Sequence, residues 1–147
     1  MGKQLCTSMA LSSPDDFCGL RRMLESEFGR RGLTEDDLAA VMLAVHEAAK
    51  NGLRFSDAQR RPVEVAVSFG RDSEVCVHVT DAGAGFEPDQ PFCAPPLDEG
   101  HGRGLCLMQG LMDSVRVERR GPLTVVCLRK RLSAPPAAEE DGTRYVA

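Results

Sequence analysis

The sequence has no excess of basic residues. It carries 18 Lys and Arg against 22 Asp and Glu, a net charge of −4, so nothing marks nucleic acid as a bulk partner. No apolar run approaches the ~20 residues of a membrane span. The N-terminus, with one Lys and no long apolar core, does not read as a secretory signal. The six cysteines include no Cys-x-x-Cys pair, which argues against a zinc ribbon or a redox motif. There is no internal repeat. What remains is an ordinary globular composition, 42% hydrophobic and 27% charged over 147 residues, enough for one domain. Cys76, Cys106 and Cys127 lie inside apolar runs and read as small hydrophobes. Free thiols point to a reducing cytoplasm, although counting alone leaves disulfide pairing open.

Periodicity divides the chain. Residues 3–11 alternate loosely and read as a strand. Ser13-Pro14-Asp15-Asp16 then opens a helix, with Ser13 as cap, Pro14 at the first position and acids at the positive end of the dipole. Phe17, Leu20, Met23, Leu24 and Phe28 form its apolar face, and Gly29 and Gly32 end it. Thr34-Glu35-Asp36-Asp37 starts a second helix, which stops near Asn51-Gly52 or one turn later. Residues 63–69 and 74–81 alternate cleanly about turn residues 70–73 and read as a hairpin. Residues 82–103 are rich in Gly and Pro, a long loop of the kind that tends to be functional. A short helix follows Gly104, and residues 115–119 and 123–130 form a last hairpin turning at Gly121-Pro122. The basic side chains there (Arg116, Arg119, Arg120, Arg129, Lys130, Arg131) read as a solvated face. Residues 133–147 are polar and Pro/Ala-rich, an expected disordered tail to a domain of residues 1–132. The order β, α, α, β, β, loop, α, β, β predicts the α+β class, a two-layer sandwich of a mostly antiparallel, mixed sheet with helices on one face.

The second helix is the centre of this arrangement. Leu38, Val41, Met42, Val45, Ala49 and Leu53 recur at three- and four-residue steps along one face. Glu47 and Asn51, four apart, stand on the opposite side, which otherwise reads Ala40, Leu43, Ala44. A carboxylate and an amide on a small apolar face look aimed into a pocket. Two segments could close it: Asp81-Ala82-Gly83-Ala84-Gly85 and Gly100-His101-Gly102-Arg103-Gly104. Each motif alone also has a plain reading. Asn51 before Gly52 could end a helix, Asp81-Ala82-Gly83 could be a strand-ending turn, and Gly-x-Gly-x-Gly could be a loop without a ligand.

Their order is more specific. Glu47-x-x-x-Asn51 on a helix, Asp81-x-Gly83-x-Gly85 at a strand end, Gly100-x-Gly102-x-Gly104-Leu105 opening a helix and Thr124 in the last strand resemble the ATP-binding (Bergerat-type) fold of gyrase, heat-shock chaperones, histidine kinases and mismatch-repair proteins. Leu43-Ala44-Val45-His46-Glu47-Ala48 and Gly102-Arg103-Gly104-Leu105-Cys106-Leu107-Met108 are similar to the anti-sigma-factor serine/threonine kinases of the RsbW type within it. The resemblance spans about residues 5–131. It implies a cytoplasmic MgATP-dependent kinase that sequesters a sigma factor and phosphorylates an anti-anti-sigma partner of STAS type. Neither membrane nor direct nucleic-acid binding is implied, and a homodimer is a family expectation. By the same resemblance, Asn51 is the Mg²⁺ ligand, a fitting oxygen donor for a hard cation. Glu47 is the base for the attacking hydroxyl. Asp81 reads the adenine amino group, Gly83 and Gly85 allow close approach beneath the base, and Thr124 supports Asp81. Gly100, His101, Gly102, Arg103, Gly104 and Leu105 form the lid and helix start that meet the phosphates.

The sequence departs from that pattern in places. Phe55 stands where the family usually has His, and Gly121-Pro122-Leu123 replaces a Gly-Gly-Thr-type turn. The lid also carries Pro88, Pro91, Pro95 and Pro96. These departures motivate an alternative, a nucleotide-dependent binding switch of the same fold without kinase activity.

Overall fold

A computed structural model describes residues 6–55, 61–70, 72–83 and 103–133 (of Phe55 and Arg103, the helical backbone alone). The elements in order are β1 (Cys6–Leu11), a 3-10 turn (Pro14–Asp16), α1 (Phe17–Arg30), α2 (Glu35–Phe55), β2 (Val63–Phe69), β3 (Glu74–Asp81), α3 (Arg103–Leu111), β4 (Ser114–Arg120) and β5 (Leu123–Arg131). Of the expected tail, residues 133–147, Ser133 is described and is held in place, its amide donating to Asp37 Oδ2 at 2.7 Å; the rest of the tail and most of the long loop lie outside the described residues.

The strands form one five-stranded sheet in the order β1-β2-β3-β5-β4. Every described pairing is antiparallel. Alternation sets the faces. Met9, Val65, Val79 and Val126 are aligned across β1, β2, β3 and β5, and Val65, Val79 and Val126 are buried with Leu20, Leu24 and Phe28 of α1 and Val41, Val45 and Ala49 of α2 in one core. The helices therefore cover one face, as the class predicts. On the other face His78 lies opposite Cys127, and Cys127 is buried.

The starts of the helices follow from their caps. Ser13 Oγ accepts from the Asp15 amide at 3.2 Å, and Asp16 returns a carboxylate to the Ser13 amide at 3.2 Å, a capping box. The proline-led segment winds as a 3-10 turn before α1 begins. Thr34 Oγ1 caps α2 by accepting from the Asp37 amide at 3.2 Å. Helix α2 runs one turn past Asn51.

The buried arc of α2 is wider than the predicted stripe. Ala44 and Ala48 are as deeply buried as Val45, whereas Leu43, on the expected pocket side, is 51% exposed. Three neighbours explain this: the sheet, α1 and α3 all pack on α2. Alanine carries too little hydrophobicity for a periodic pattern to reveal the third one.

The pattern on α1 also concealed a charge. Glu27, on the core side, is buried. It accepts from Thr7 Oγ1 at 2.9 Å and Arg30 Nη2 at 2.6 Å. Arg31, 3.8 Å from the same carboxylate, lies 3.9 Å over the Phe69 ring. This cluster fixes the end of α1 to β1 and β2. The Arg30 hydrogen bond, opposed by burial, holds the Glu27 carboxyl below the ordinary glutamate range.

A lowered carboxylate stabilises the fold above its unfolded value, about 4.3, and that contribution is lost as pH falls through the folded value. Glu27→Gln should therefore cost about 1–3 kcal/mol at pH 7 in denaturant titration. The gap to the unsubstituted protein should shrink on acidification toward pH 3. A gap independent of pH would refute this assignment.

Candidate functional site

The site is assembled where α2, the end of β3 and the start of α3 meet. Gly52 brings the first two together. A Cβ at Gly52 would stand 3.1 Å and 3.2 Å from the two Val63 methyls and 3.4 Å from Asp81 Cβ, so α2 rests almost directly on β2 and β3. This close approach places Asn51, one residue earlier, beside the end of the sheet.

Gly104 brings in α3. A Cβ at that position would lie 2.9 Å from Glu47 Oε2 and 3.1 Å from Asn51 Nδ2. The first turn of α3 thus packs on the polar pair of α2, and its orphan N–H groups and positive dipole end lie beside a carboxylate and an amide. Both polar side chains are partly exposed. Lys50 completes this corner: its ammonium donates to Glu47 Oε1 at 3.1 Å. The pair is exposed on the lysine side, 54% against 19% for Glu47, so it contributes no more than about 1 kcal/mol and opens readily.

Asp81 closes β3 and is buried. Its Oδ1 accepts from the Gly83 amide at 2.7 Å, an Asx-type turn. Burial raises the Asp81 carboxyl above the ordinary aspartate range; the Gly83 amide and the Arg119 guanidinium oppose that rise. Thr124 lies directly opposite Asp81 on β5. Its Oγ1 donates to the Gly83 carbonyl at 2.7 Å, so it holds the turn rather than the carboxylate itself.

Of the residues singled out in the sequence, Glu47, Asn51 and Gly104 are in mutual proximity, and Asp81, Gly83 and Thr124 form a second group joined to the first through Gly52. Leu105 packs against the core. Gly85, Gly100, His101 and Gly102 lie outside the described residues, as does the side chain of Arg103. His46, adjacent to Glu47 in sequence, instead packs against Phe17, the ring planes tilted by 52° with centroids 4.3 Å apart.

Two side chains of the candidate site were missed. Lys50 is three residues from Glu47, a spacing that reaches on a helix. Arg119, read as solvated, donates to Thr124 Oγ1 at 2.8 Å and to the Gly83 carbonyl at 3.3 Å. A two-residue turn at Gly121-Pro122 would have signalled it by pairing 119 with 124. Lys130 likewise is not simply solvated, because it donates to the Leu111 carbonyl at 3.3 Å and so caps the end of α3.

Chemically, the arrangement offers an amide oxygen for a hard cation, a half-open carboxylate four residues away, and a buried carboxylate whose second oxygen accepts no hydrogen bond among the described residues. Comparison with known proteins agrees in kind. The family profile for the histidine kinase-like ATPase domain matches residues 11–130. A serine-protein kinase RsbW of Bacillus velezensis is 33% identical over 129 residues, covering 80% of each chain. The Bacillus subtilis serine-protein kinase RsbW is 32% identical over the same length and coverage. An anti-sigma F factor of Clostridium acetobutylicum is 26% identical over 68% of this chain and 74% of its own. A crystal structure of the RsbU and RsbW domains of a Mycobacterium tuberculosis protein superposes with a TM-score of 0.69 at 20% identity. It matches 89% of this chain and 33% of that one, so this chain spans a third of the solved protein, and the likeness is one of fold.

Gly104→Ala separates the two demands on this glycine. In a helix, Ala is favoured over Gly by about 1 kcal/mol, so the melting temperature should hold or rise. The same methyl must displace Glu47 and Asn51, and ATP affinity by calorimetry should fall about tenfold, the equivalent of ~1.4 kcal/mol. Unchanged affinity would show that the contact does not matter to the site.

Proposed function

The chain belongs to the histidine kinase-like ATPase domain family, on its RsbW-type branch, and from that premise we propose that it is an anti-sigma factor with MgATP-dependent serine/threonine kinase activity toward a STAS-type anti-anti-sigma partner. The observation that supports this most is the packing of Gly104 on Glu47 and Asn51. It sets a carboxylate, a metal-suited amide and a helix N-terminus around one point, which is what phosphoryl transfer asks for in position and charge.

Each residue has a task in this reading. Asp81 accepts a hydrogen bond from the adenine amino group with the oxygen that Gly83 leaves free. Guanine carries a carbonyl at that position, so the carboxylate discriminates against it. Bound with the nucleotide, Mg²⁺ would take Asn51 Oδ1 as a ligand and neutralise phosphate charge. The donor set suits it, because the amide is neutral and partly open. The α3 amides face the phosphates. Glu47, released from its weak tie to Lys50, takes the proton of a partner hydroxyl. That oxygen bonds to the γ-phosphorus as the bond to the bridging oxygen breaks and ADP leaves.

The Lys50 tie also favours a second reading, in which Glu47 stays engaged and nucleotide only sets partner affinity. The chain would then be a binding switch for the sigma factor and its antagonist.

Incubation with γ-labelled ATP and a purified STAS-type protein decides between them. The kinase reading expects label on the partner. Glu47→Gln should reduce transfer by about 10²–10⁴ with ATP binding retained. Tight ATP binding with no label, and partner affinity that differs between ATP and ADP, would establish the switch instead.

Asp81→Asn should weaken ATP binding by about 1–3 kcal/mol. Because the Asp81 carboxyl sits above the ordinary aspartate range, ATP affinity in the unsubstituted protein should decline on acidification before an ordinary aspartate would protonate. A decline of the same shape in the Asn variant would exclude Asp81 as its source.

A further inference from the structure

Arg119, Thr124 and Asp81 form one row across the sheet. Arg119 on β4 pairs with Thr124 on β5, which pairs with Asp81 on β3. Alternation places all three on the helix-covered face. An arginine on an edge strand is ordinarily solvated, and the residue is exposed. Its head is nonetheless committed, because one nitrogen, Nη1, donates to Thr124 Oγ1 at 2.8 Å and to the Gly83 carbonyl at 3.3 Å.

These bonds have a direction. A guanidinium can only donate, and a hydroxyl has a single proton. Thr124 oxygen must therefore accept from Arg119, and its proton is left for the Gly83 carbonyl, 2.7 Å away. That carbonyl receives two donors, while the Gly83 amide donates to Asp81 Oδ1 at 2.7 Å. Every member but the hydroxyl has a fixed sense, and the hydroxyl, between a donor and an acceptor, can point only one way. Without Arg119 the threonine hydroxyl keeps only the Gly83 carbonyl, and no cation polarises that carbonyl or backs the turn.

We propose that Arg119 is a positioning residue for base recognition: by donating to Thr124 and Gly83 together, it fixes the Asp81–Gly83 turn so that the free carboxylate oxygen meets the exocyclic amino group of a purine. The inference rests on the nucleotide reading given above and names a determinant of that site's base specificity. A role confined to folding predicts something different. It would lower affinity for every nucleotide alike, or lower the melting temperature, whereas a positioning role acts on the amino group alone.

The test uses the full chain, with ATP and purine riboside triphosphate, which lacks the amino group, as probes in calorimetry. The unsubstituted protein should prefer ATP. Arg119→Ala should lose about tenfold in ATP affinity, with purine riboside triphosphate affinity unchanged and the melting temperature held within about 3 °C. Arg119→Lys, which keeps a cationic donor, should recover part of the preference. In nucleotide-free protein, the Gly83 amide should exchange its hydrogen about tenfold faster in Arg119→Ala. Retained discrimination in Arg119→Ala, or equal loss for both nucleotides, overturns the proposal. Absence of ATP binding in the unsubstituted protein overturns the nucleotide reading itself. The Gly83 exchange rate then still decides whether Arg119 holds the turn.

Discussion

Asp81 is a carboxylate taken out of water, and the end of the sheet is arranged around that cost. An uncompensated buried charge is worth several kcal/mol against the fold. The Gly83 amide answers one oxygen, and Thr124 and Arg119 hold Gly83 in turn. Helix α2 is seated on the Cβ of the same residue, because Gly52 has no side chain to keep the helix away. The position of Asn51 is therefore not independent of Asp81. A helix carrying two polar groups and a strand ending in a third are brought into register at one point of contact, before any ligand arrives.

The site's two carboxylates are held in opposite ways. Asp81 is buried, bonded to a backbone amide and backed by a cation that reaches it only through a turn. Glu47 is partly open, with one oxygen on an exposed lysine and the other against α3. A rigid acceptor suits recognition, since its geometry is fixed in advance and nothing need be reordered on binding. A weakly tied carboxylate suits proton transfer, since its partner is given up at little cost. In the proposed function the environments, more than the chemical type, distinguish reader from base.

Much of this was legible in the sequence. The bounds of β2 and β3 coincide with the alternating runs 63–69 and 74–81, because each has one covered face and the period of two survives intact. The residues of the candidate site were legible as an ordered set of motifs, and the fold brings the described ones together. What was lost has physical reasons. Ala44 and Ala48 are core residues whose apolarity is too slight to mark a face. Glu27 occupies a core position through compensation by Thr7, Arg30 and Arg31, none of which a hydrophobic pattern weighs. Arg119 and Lys130 sit in a run of basic residues whose composition signals solvent, and only strand register shows where their heads go.

The stretch between Gly83 and Arg103 begins and ends on fixed points. Gly83 is held by Asp81, Thr124 and Arg119, and Gly104 lies against Glu47 and Asn51. Both sets of contacts are made among the described residues. The closure entropy of such a segment grows only logarithmically, by about 0.6 kcal/mol for each doubling of length. A change in the length of this segment would thus cost the scaffold that receives it little, whatever the segment itself contributes to the site.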